Sequence, residues 1–320
     1  MTTVEYLDGL PTTPSPARRS LFQKARQLQA KSQLQEAISL FRELLGKPES
    51  PSEELALLIL IGNCFLNLSQ LKEAEGHYQK ALDKAQRLSN KEAQAAALGN
   101  LGTVYKNRGD LDKALEHHQK ALEIFRDIGN RLGEATGLGN LGVVFRHMGD
   151  LDKALEHLEK ALKIQREIGD RLGEANQLGN LGNVFRLKGD LGKALEYFQK
   201  ALEIHRDIGH RLGEATALGN LGNVYFQKGE LDKALEHHQK ALELDREIGN
   251  RLGEAAALNN LGSVYVQKGD LEKALDHLQK ALSLFRTIGA QTEIALAEKS
   301  IAEVQAAMKN GKKPHSPEKD

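Results

Sequence analysis

A forty-residue internal repeat constrains the fold of this chain more than any other feature of its sequence. The motif Gly-Asn-Leu-Gly begins at Gly99, Gly139, Gly179 and Gly219, and the variant Asn-Asn-Leu-Gly begins at Asn259. Each copy continues with an aromatic residue, then a glycine followed by an acidic residue, then Leu-x-Lys-Ala-Leu. A fixed period of this length is typical of stacked units that bury their apolar faces against one another.

Each copy contains the pattern of two helices joined by a tight turn. In one copy, the first helix is predicted from about Arg131 to His147 and its partner from about Asp152 to Ile168. The apolar face of the first helix has helical spacing and consists of Leu138, Leu141, Gly142 and Phe145. The facing residues of the partner are Ala154, Leu155, Leu158, Ala161 and Leu162. Small residues on both faces predict close packing of the pair.

Glycines and acidic residues mark the predicted helix ends. Gly149 and Gly169 suit left-handed C-terminal caps, and Asp170 suits an N-cap. Proline, which interrupts helices, is absent between Ser52 and Lys313. The sequence therefore predicts an all-α protein.

Charge and apolar composition narrow the possible functions. Lys and Arg together number 44, as do Asp and Glu, so no net field favours nucleic acid or an anionic membrane. No apolar run approaches the length of a membrane span, and residues 1–16 lack the pattern of a signal sequence. These features predict a cytoplasmic protein. Its single cysteine, Cys64, lies among apolar residues and is interpreted as a small core residue.

The recurring Leu-Gly, aromatic, Gly-Asp and alanine positions resemble the tetratricopeptide repeat pattern. The Leu-Gly-Asn tripeptides at Leu98, Leu178, Leu181 and Leu221 are also similar to those of the Pins/LGN adaptors and, more loosely, of kinesin light chains. The resemblance implies a right-handed superhelical α-solenoid of antiparallel helix pairs. It also implies a protein–protein interaction adaptor that binds a partner's peptide segment in the concave groove of the superhelix.

Weaker copies extend the array toward the N-terminus, and an atypical segment ends it. The predicted repeats cover about residues 18–51, 55–92, 93–130, 131–170, 171–210, 211–250 and 251–290. A capping helix is predicted at 292–308, because Glu298 and Gln305 stand where other copies have leucine and an aromatic residue. The solenoid thus spans 17–308. The remaining tails, 1–16 and 309–320, are rich in Pro, Ser, Thr and Lys and are predicted to be disordered.

Asparagines recur on the predicted groove side of the first helices. One row consists of Asn100, Asn140, Asn180, Asn220 and Asn260, and a second row includes Asn183 and Asn223. A carboxamide carries both a donor and an acceptor, so a ladder of them can pair with the backbone of an extended peptide. The resemblance implies this role for the first row. The alternative is that these asparagines only hydrate the helix face. Gly99, Gly139, Gly179 and Gly219 beside the ladder suggest close approach of a ligand or of a neighbouring helix.

Selectivity is expected from a row that differs between copies. The row is Leu66, Lys106, Arg146, Arg186, Phe226 and Val266, which is basic in the middle and apolar at both ends. We therefore expect a partner segment with acidic residues flanked by apolar anchors. A further hypothesis is self-association, through the terminal repeats or through the acidic and apolar segment 4–8 of the N-terminal tail.

Other patterns are interpreted as structural. His77, His117, His157, His237 and His277 recur one repeat apart, which is not the spacing of metal ligands on a helix. The Arg-Leu-Gly-Glu runs are expected to form surface ion pairs of small energetic effect. We find no pattern for a cofactor or for catalysis and expect no enzymatic activity. The alternative function is a ligand-responsive regulator, in which peptide binding controls oligomerisation or an associated effector.

Overall fold

The computed structural model describes residues 16–30 and 33–309. Within these residues the chain forms fifteen α-helices and no strand, which confirms the all-α prediction. The helices are α1 (Pro16–Ala30), α2 (Leu34–Leu45), α3 (Pro51–Asn67), α4 (Leu71–Arg87), α5 (Lys91–Arg108), α6 (Leu111–Asp127), α7 (Arg131–Met148), α8 (Leu151–Glu167), α9 (Arg171–Leu187), α10 (Leu191–Asp207), α11 (Arg211–Gln227), α12 (Leu231–Glu247), α13 (Arg251–Lys268), α14 (Leu271–Ile288) and α15 (Gln291–Lys309). Residues 1–15 and 310–320, on which the prediction of disordered tails falls, lie outside the described residues.

The helices pair in chain order within two compact units. The N-terminal unit ends at Gly169 and holds α1–α8, and the C-terminal unit begins at Asp170 and holds α9–α15. Each odd-numbered helix packs most extensively on the even-numbered helix that follows it, as α5 does on α6 and α13 on α14. We number these helix pairs as hairpins one to seven. The last helix, α15, packs on α14.

A glycine of the first helix lies against a large side chain of the second inside hairpins two to seven. A Cβ atom added to Gly142 would lie 2.6 Å from Leu158 Cγ, far closer than van der Waals contact allows. The same relation holds for Gly62 with Tyr78, Gly102 with His118, Gly182 with Phe198, Gly222 with His238 and Gly262 with Leu278. Glycine is required here because it lets the two helices approach, as the small residues in the sequence predicted.

The predicted caps are present at the turns. Gly149 and Gly169 adopt left-handed backbone angles, with φ of 83° and 74°. The Asp170 side chain accepts a hydrogen bond from the Gly173 backbone N–H at 2.9 Å, as an N-cap should. Ser69 and Ser89 occupy left-handed positions in the N-terminal unit, with φ of 57° and 53°.

The Arg-Leu-Gly-Glu runs form the predicted ion pairs, and each pair joins an exposed arginine to a largely buried glutamate. Glu254 is only 7% exposed and accepts hydrogen bonds from Arg246 Nε at 2.8 Å and Arg251 Nη1 at 2.9 Å. Burial alone would raise the pKa of this carboxyl, but the two guanidinium bonds outweigh it and the pKa is lowered. The predicted pair within the run, Arg251 with Glu254, is present, and its guanidinium group is exposed. Glu254 is the buried member, and its second bond, from Arg246, links α13 to α12.

The last helix covers the end of the C-terminal unit with a narrow apolar face. Ala297, Ile301 and Val304 are buried. The Glu298 side chain is instead about half exposed and accepts a hydrogen bond from Arg286 at 2.6 Å. This arrangement exposes a polar surface at the end of the array, as a capping helix must.

Candidate functional site

The first helices of successive hairpins contact one another directly in each unit. In the N-terminal unit α5 lies between α3 and α7, and in the C-terminal unit α11 lies between α9 and α13. The second helices of successive hairpins make no comparable contact in the described part of the chain. The first-helix side is therefore the more closely spaced side of each unit. In each unit, we call the surface formed by the exposed residues of these first helices the inner face of that unit.

The five asparagines of the first row are half-buried on the inner faces of the two units. Asn100 and Asn140 belong to the N-terminal unit, and the C-terminal unit holds Asn180, Asn220 and Asn260. Asn180 Nδ2 donates a weak hydrogen bond to Gln177 Oε1 at 3.3 Å. The other four carboxamides make no side-chain hydrogen bond with a described residue. Four of the five predicted peptide-contacting amides therefore keep both donor and acceptor available.

Residues of the second row are more engaged with their own helices. Asn183 Nδ2 donates to the Gly179 carbonyl at 3.1 Å, four residues earlier. The hydroxyls of Thr103 and Ser263, at the matching positions, make the same kind of bond to Gly99 and Asn259 carbonyls, both at 3.1 Å. Asn223 is half-buried and makes no such bond. The two predicted second-row sites thus differ, because Asn183 has one of its two N–H donors engaged, whereas Asn223 has both available.

The glycines beside the ladder face open space. A Cβ added to Gly99, Gly179 or Gly219 would meet no atom within 4 Å outside its own helix backbone. The possibility that a neighbouring helix requires these glycines is thereby excluded at these three positions. Each costs roughly 1 kcal/mol relative to alanine inside a helix, and packing within the described chain does not account for that cost.

Cationic side chains cluster on the inner face of the N-terminal unit. Burial lowers the pKa of Lys106, and the nearby Arg146 guanidinium lowers it further. Burial and then the charges of Arg146 and Lys106 also lower the pKa of His147, whose Nε2 accepts from Arg146 Nη2 at 3.2 Å. Lys106 forms no ion pair with a described residue. The cluster therefore carries positive charge that could be offset by an anionic group from outside.

The corresponding row continues differently in the C-terminal unit. Arg186 and Phe226 are half-buried, and Arg186 forms no ion pair within residues 16–30 and 33–309. Val266 completes the row on α13 with an apolar side chain. The C-terminal inner face thus combines one cation with apolar surface.

A pocket of about 130 Å³ opens on the inner face of the N-terminal unit, beside α5, α6 and α7. Its polar lining is Asn63, Asn100, Asn140, Thr103, Thr136 and His118. Its small-residue lining is Ala95, Ala96, Gly99, Gly133 and Gly137. The pocket brings together Asn100 and Asn140, which the sequence predicted as binding residues.

His118 is the pocket residue that sequence reasoning did not identify as functional. The matching position of the second helix holds Tyr78, His118, Leu158, Phe198, His238 and Leu278 in successive hairpins. This position is buried in every hairpin, so polar residues there stand out against apolar ones. The sequence shows the alternation of polar and apolar residues at this position, but the burial that makes His118 noteworthy comes from the structure.

The recurring histidines of the neighbouring position have a packing role. The rings of His77, His117, His157, His237 and His277 lie 4.9–5.2 Å from an aromatic ring of the first helix, centroid to centroid. In each, Nδ1–H donates to the carbonyl four residues earlier at 2.8 Å. Among the described residues no group of three or more His, Cys, Asp or Glu side chains could hold a metal ion.

Cys64 and the apolar helices have structural explanations as well. Cys64 is fully buried, and burial raises the pKa of its thiol to about 11, which confirms the core interpretation. None of the described helices combines the length and the apolar character needed to cross a membrane.

Comparison with known families gives one family model, described as tetratricopeptide repeat. It matches three consecutive segments, residues 53–127, 133–207 and 213–287. Together these segments cover more than half of the chain. A search of curated proteins found no match.

Several solved structures are similar in fold. A Rap protein complexed with Competence and Sporulation Factor is 17% identical, with a TM-score of 0.66, over 96% of this chain and 91% of that one. A STAND protein with a tetratricopeptide repeat sensor, from Pyrococcus horikoshii, is 20% identical, with a TM-score of 0.64, over 86% of this chain and 43% of that one. Aspartyl phosphate phosphatase F from Bacillus subtilis is 12% identical, with a TM-score of 0.57, over 97% and 99%. At these identities the likeness concerns the fold alone.

Proposed function

This chain belongs to the tetratricopeptide repeat family, and we propose that it is an adaptor that holds an extended peptide segment of a partner protein against its inner face. The observation that carries the proposal is the row of half-buried asparagines, four of which make no side-chain hydrogen bond with a described residue. Three members of the row, Asn100, Asn180 and Asn220, follow glycines that face open space. A peptide backbone presents alternating donors and acceptors, which such a row can match without regard to side chains. A cytoplasmic location is part of this proposal.

The row cannot supply the affinity alone. Five carboxamides at about 0.5–1.5 kcal/mol net each contribute roughly 3–8 kcal/mol. Association costs about 4–15 kcal/mol in lost translational and rotational freedom. Specific binding therefore requires side-chain contacts in addition to the ladder.

Lys106, Arg146, Arg186 and Phe226 are proposed to supply those contacts. The cations on the inner face favour acidic residues in the ligand, because a carboxylate would relieve the repulsion between Lys106 and Arg146. Phe226 and Val266 favour an apolar anchor. The Rap protein of similar fold was solved in complex with Competence and Sporulation Factor, which supports the proposal of a ligand-binding role.

The ladder is tested by changing Asn140, Asn180 and Asn220 together to alanine and capturing partners with the full chain from the cells that produce it. We expect partners to be lost while the helical circular dichroism stays unchanged and the thermal midpoint changes little, since Asn140 and Asn220 make no side-chain hydrogen bond with a described residue and Asn180 makes only a weak one. A matched control changes Gln119, Gln199 and Gln239, which are exposed on second helices, to alanine. Identical partners for the wild-type chain and the asparagine variant would refute the proposal.

Selectivity for acidic segments is tested separately. The double variant R146E/R186E should lose binding of an acidic captured segment. Binding should be restored when the acidic residues of that segment are replaced by basic ones. Unchanged affinity for the acidic segment would remove the charge argument and leave the ladder proposal standing.

A further inference from the structure

The pocket of the N-terminal unit contains a buried polar group whose hydrogen-bonding capacity is unused. His118 is 1% exposed, and neither ring nitrogen has a hydrogen-bond partner among the described residues. An unsatisfied buried polar group costs free energy that an apolar side chain would avoid. This chain places Leu158, Phe198 and Leu278 at the matching position of other hairpins, so polarity is not required there for folding.

Comparison with the second hairpin explains why His118 has no partner. There Tyr78 occupies the same position, and its hydroxyl donates to Asn63 Oδ1 at 2.7 Å. The imidazole is shorter than a phenol. The residue that matches Asn63 is Thr103, whose hydroxyl already donates to the Gly99 carbonyl at 3.1 Å. The third hairpin therefore lacks equivalents of the Tyr78 hydroxyl and the Asn63 carboxamide, and the pocket lies in their place.

The imidazole is neutral near pH 7. Burial lowers the pKa of His118 to about 4, and the charge of Lys106 contributes to the shift. A neutral ring offers one N–H donor and one acceptor nitrogen. Two carboxamides of the pocket wall, Asn100 and Asn140, also offer a donor and an acceptor each and make no hydrogen bond with a described residue.

We propose that this pocket binds a primary carboxamide, the side chain of an asparagine or glutamine in the bound segment. The inference deepens the proposed peptide-binding function and rests on it. A carboxamide both donates and accepts, so it can pair with either nitrogen of the neutral ring. A carboxylate would be attracted by Lys106 but could pair only with the ring N–H, and an ammonium could pair only with the lone pair and would be repelled by Lys106.

The size of the pocket agrees with such an occupant. Its volume of about 130 Å³ is several times the roughly 30 Å³ that one water occupies in the liquid. Gly99 contributes to this space, because a Cβ atom there would meet no atom within 4 Å outside its own helix backbone. A short planar side chain fits this volume. In the second hairpin the ring of Tyr78 occupies the equivalent space.

Three isosteric probes test the chemistry directly on the full chain: propionamide, propionate and propylammonium. The readout is the chemical shift of the Thr103 and Thr136 methyl groups, which line the pocket. We expect saturable shifts with propionamide only, and their loss in H118F. Phe198 shows that phenylalanine is accommodated at this position, and H118L, as at Leu158, provides a second variant. The control H238F alters the matching histidine of the sixth hairpin and should leave the shifts unchanged.

A display library of linear peptides, selected on the wild-type chain, H118F and H238F, connects the pocket to peptide binding. Enrichment of Asn or Gln at one position for the wild-type chain and H238F, but not for H118F, supports the inference. Peptides selected without this preference, with no saturable propionamide shift, overturn it and leave the proposed function intact. If no peptide is selected, the proposed function fails, and the propionamide titration alone decides whether the carboxamide site exists.

Discussion

The third hairpin, α5–α6, and the sixth, α11–α12, have nearly the same interior but different inner faces. In both, a glycine of the first helix lies under an imidazole: a Cβ on Gly102 would be 2.8 Å from the His118 ring, and one on Gly222 would be 2.7 Å from the His238 ring. Both histidines are 1% exposed. The packing that holds the hairpin together is therefore shared.

The inner faces diverge at the residues that do not pack within the hairpin. Lys106 of the third hairpin corresponds to Phe226 of the sixth, and Thr103 corresponds to Asn223. In the next first helix, Gly137 of the N-terminal unit corresponds to Ala257 of the C-terminal unit. The comparison teaches that interior positions are fixed by close contact, whereas inner-face positions are free to acquire different chemistry in each unit.

Acidification should produce the largest effect and should act equally on the two hairpins. Burial lowers the pKa of His118 and of His238 to about 4, from an ordinary value of 6.5. Between these values the unfolded chain binds protons that the native chain does not, so stability is lost as the pH falls from about 6.5 toward 4. Each histidine should account for roughly 3 kcal/mol of that loss. Urea unfolding at pH 7 and pH 4 measures it, and the same pH dependence in H118F/H238F would contradict the assignment.

Filling the hairpin interior should be the next largest effect. G102A and G222A place a methyl group against an imidazole ring, and such overpacking costs about 1–3 kcal/mol. Because the contacts match, the two variants should lower the unfolding midpoint in urea by similar amounts. A large loss in one hairpin and none in the other would show that their interiors are not equivalent.

Exchanging the inner-face residues should alter binding more than stability. K106F removes a partly buried cation from the third hairpin, and F226K adds one to the sixth. We expect K106F to weaken binding of an acidic segment by roughly five- to tenfold, with weaker dependence on salt, because one charge-assisted contact is lost. Titration calorimetry at two salt concentrations measures this. Unchanged affinity in K106F would mean that the cationic cluster does not contact the ligand.

The smallest effect is expected from the glycines that face open space. G99A and G219A introduce a methyl group that meets no atom within 4 Å outside the helix backbone. Each should stabilise its helix by up to about 1 kcal/mol, measured by thermal unfolding. Each should also weaken ligand binding if a peptide backbone approaches these positions. Stabilisation without any loss of affinity would place the ligand elsewhere on the inner face.

The sequence by itself determined the helical hairpins of this protein. The forty-residue period, the glycines at the turns and the small residues in the pair interface each act through local conformation or through contacts within one hairpin. Such contacts repeat in every copy, which is why Gly149, Gly169, Asp170 and the interior of α7 were predictable. The same regularity made the inner-face row of asparagines visible.

Only the tertiary structure decided which polar groups are satisfied. The bond from Arg246 to the buried Glu254 and the unpartnered ring of His118 depend on distances between side chains of different helices. The bond from Asn183 to the Gly179 carbonyl depends on the side-chain conformation that Asn183 adopts on its own helix. A sequence lists donors and acceptors but does not place them within hydrogen-bonding distance of one another. His118 and Tyr78 occupy the same repeat position. The Tyr78 hydroxyl is satisfied by Asn63, whereas the His118 ring beside the pocket has no partner among the described residues.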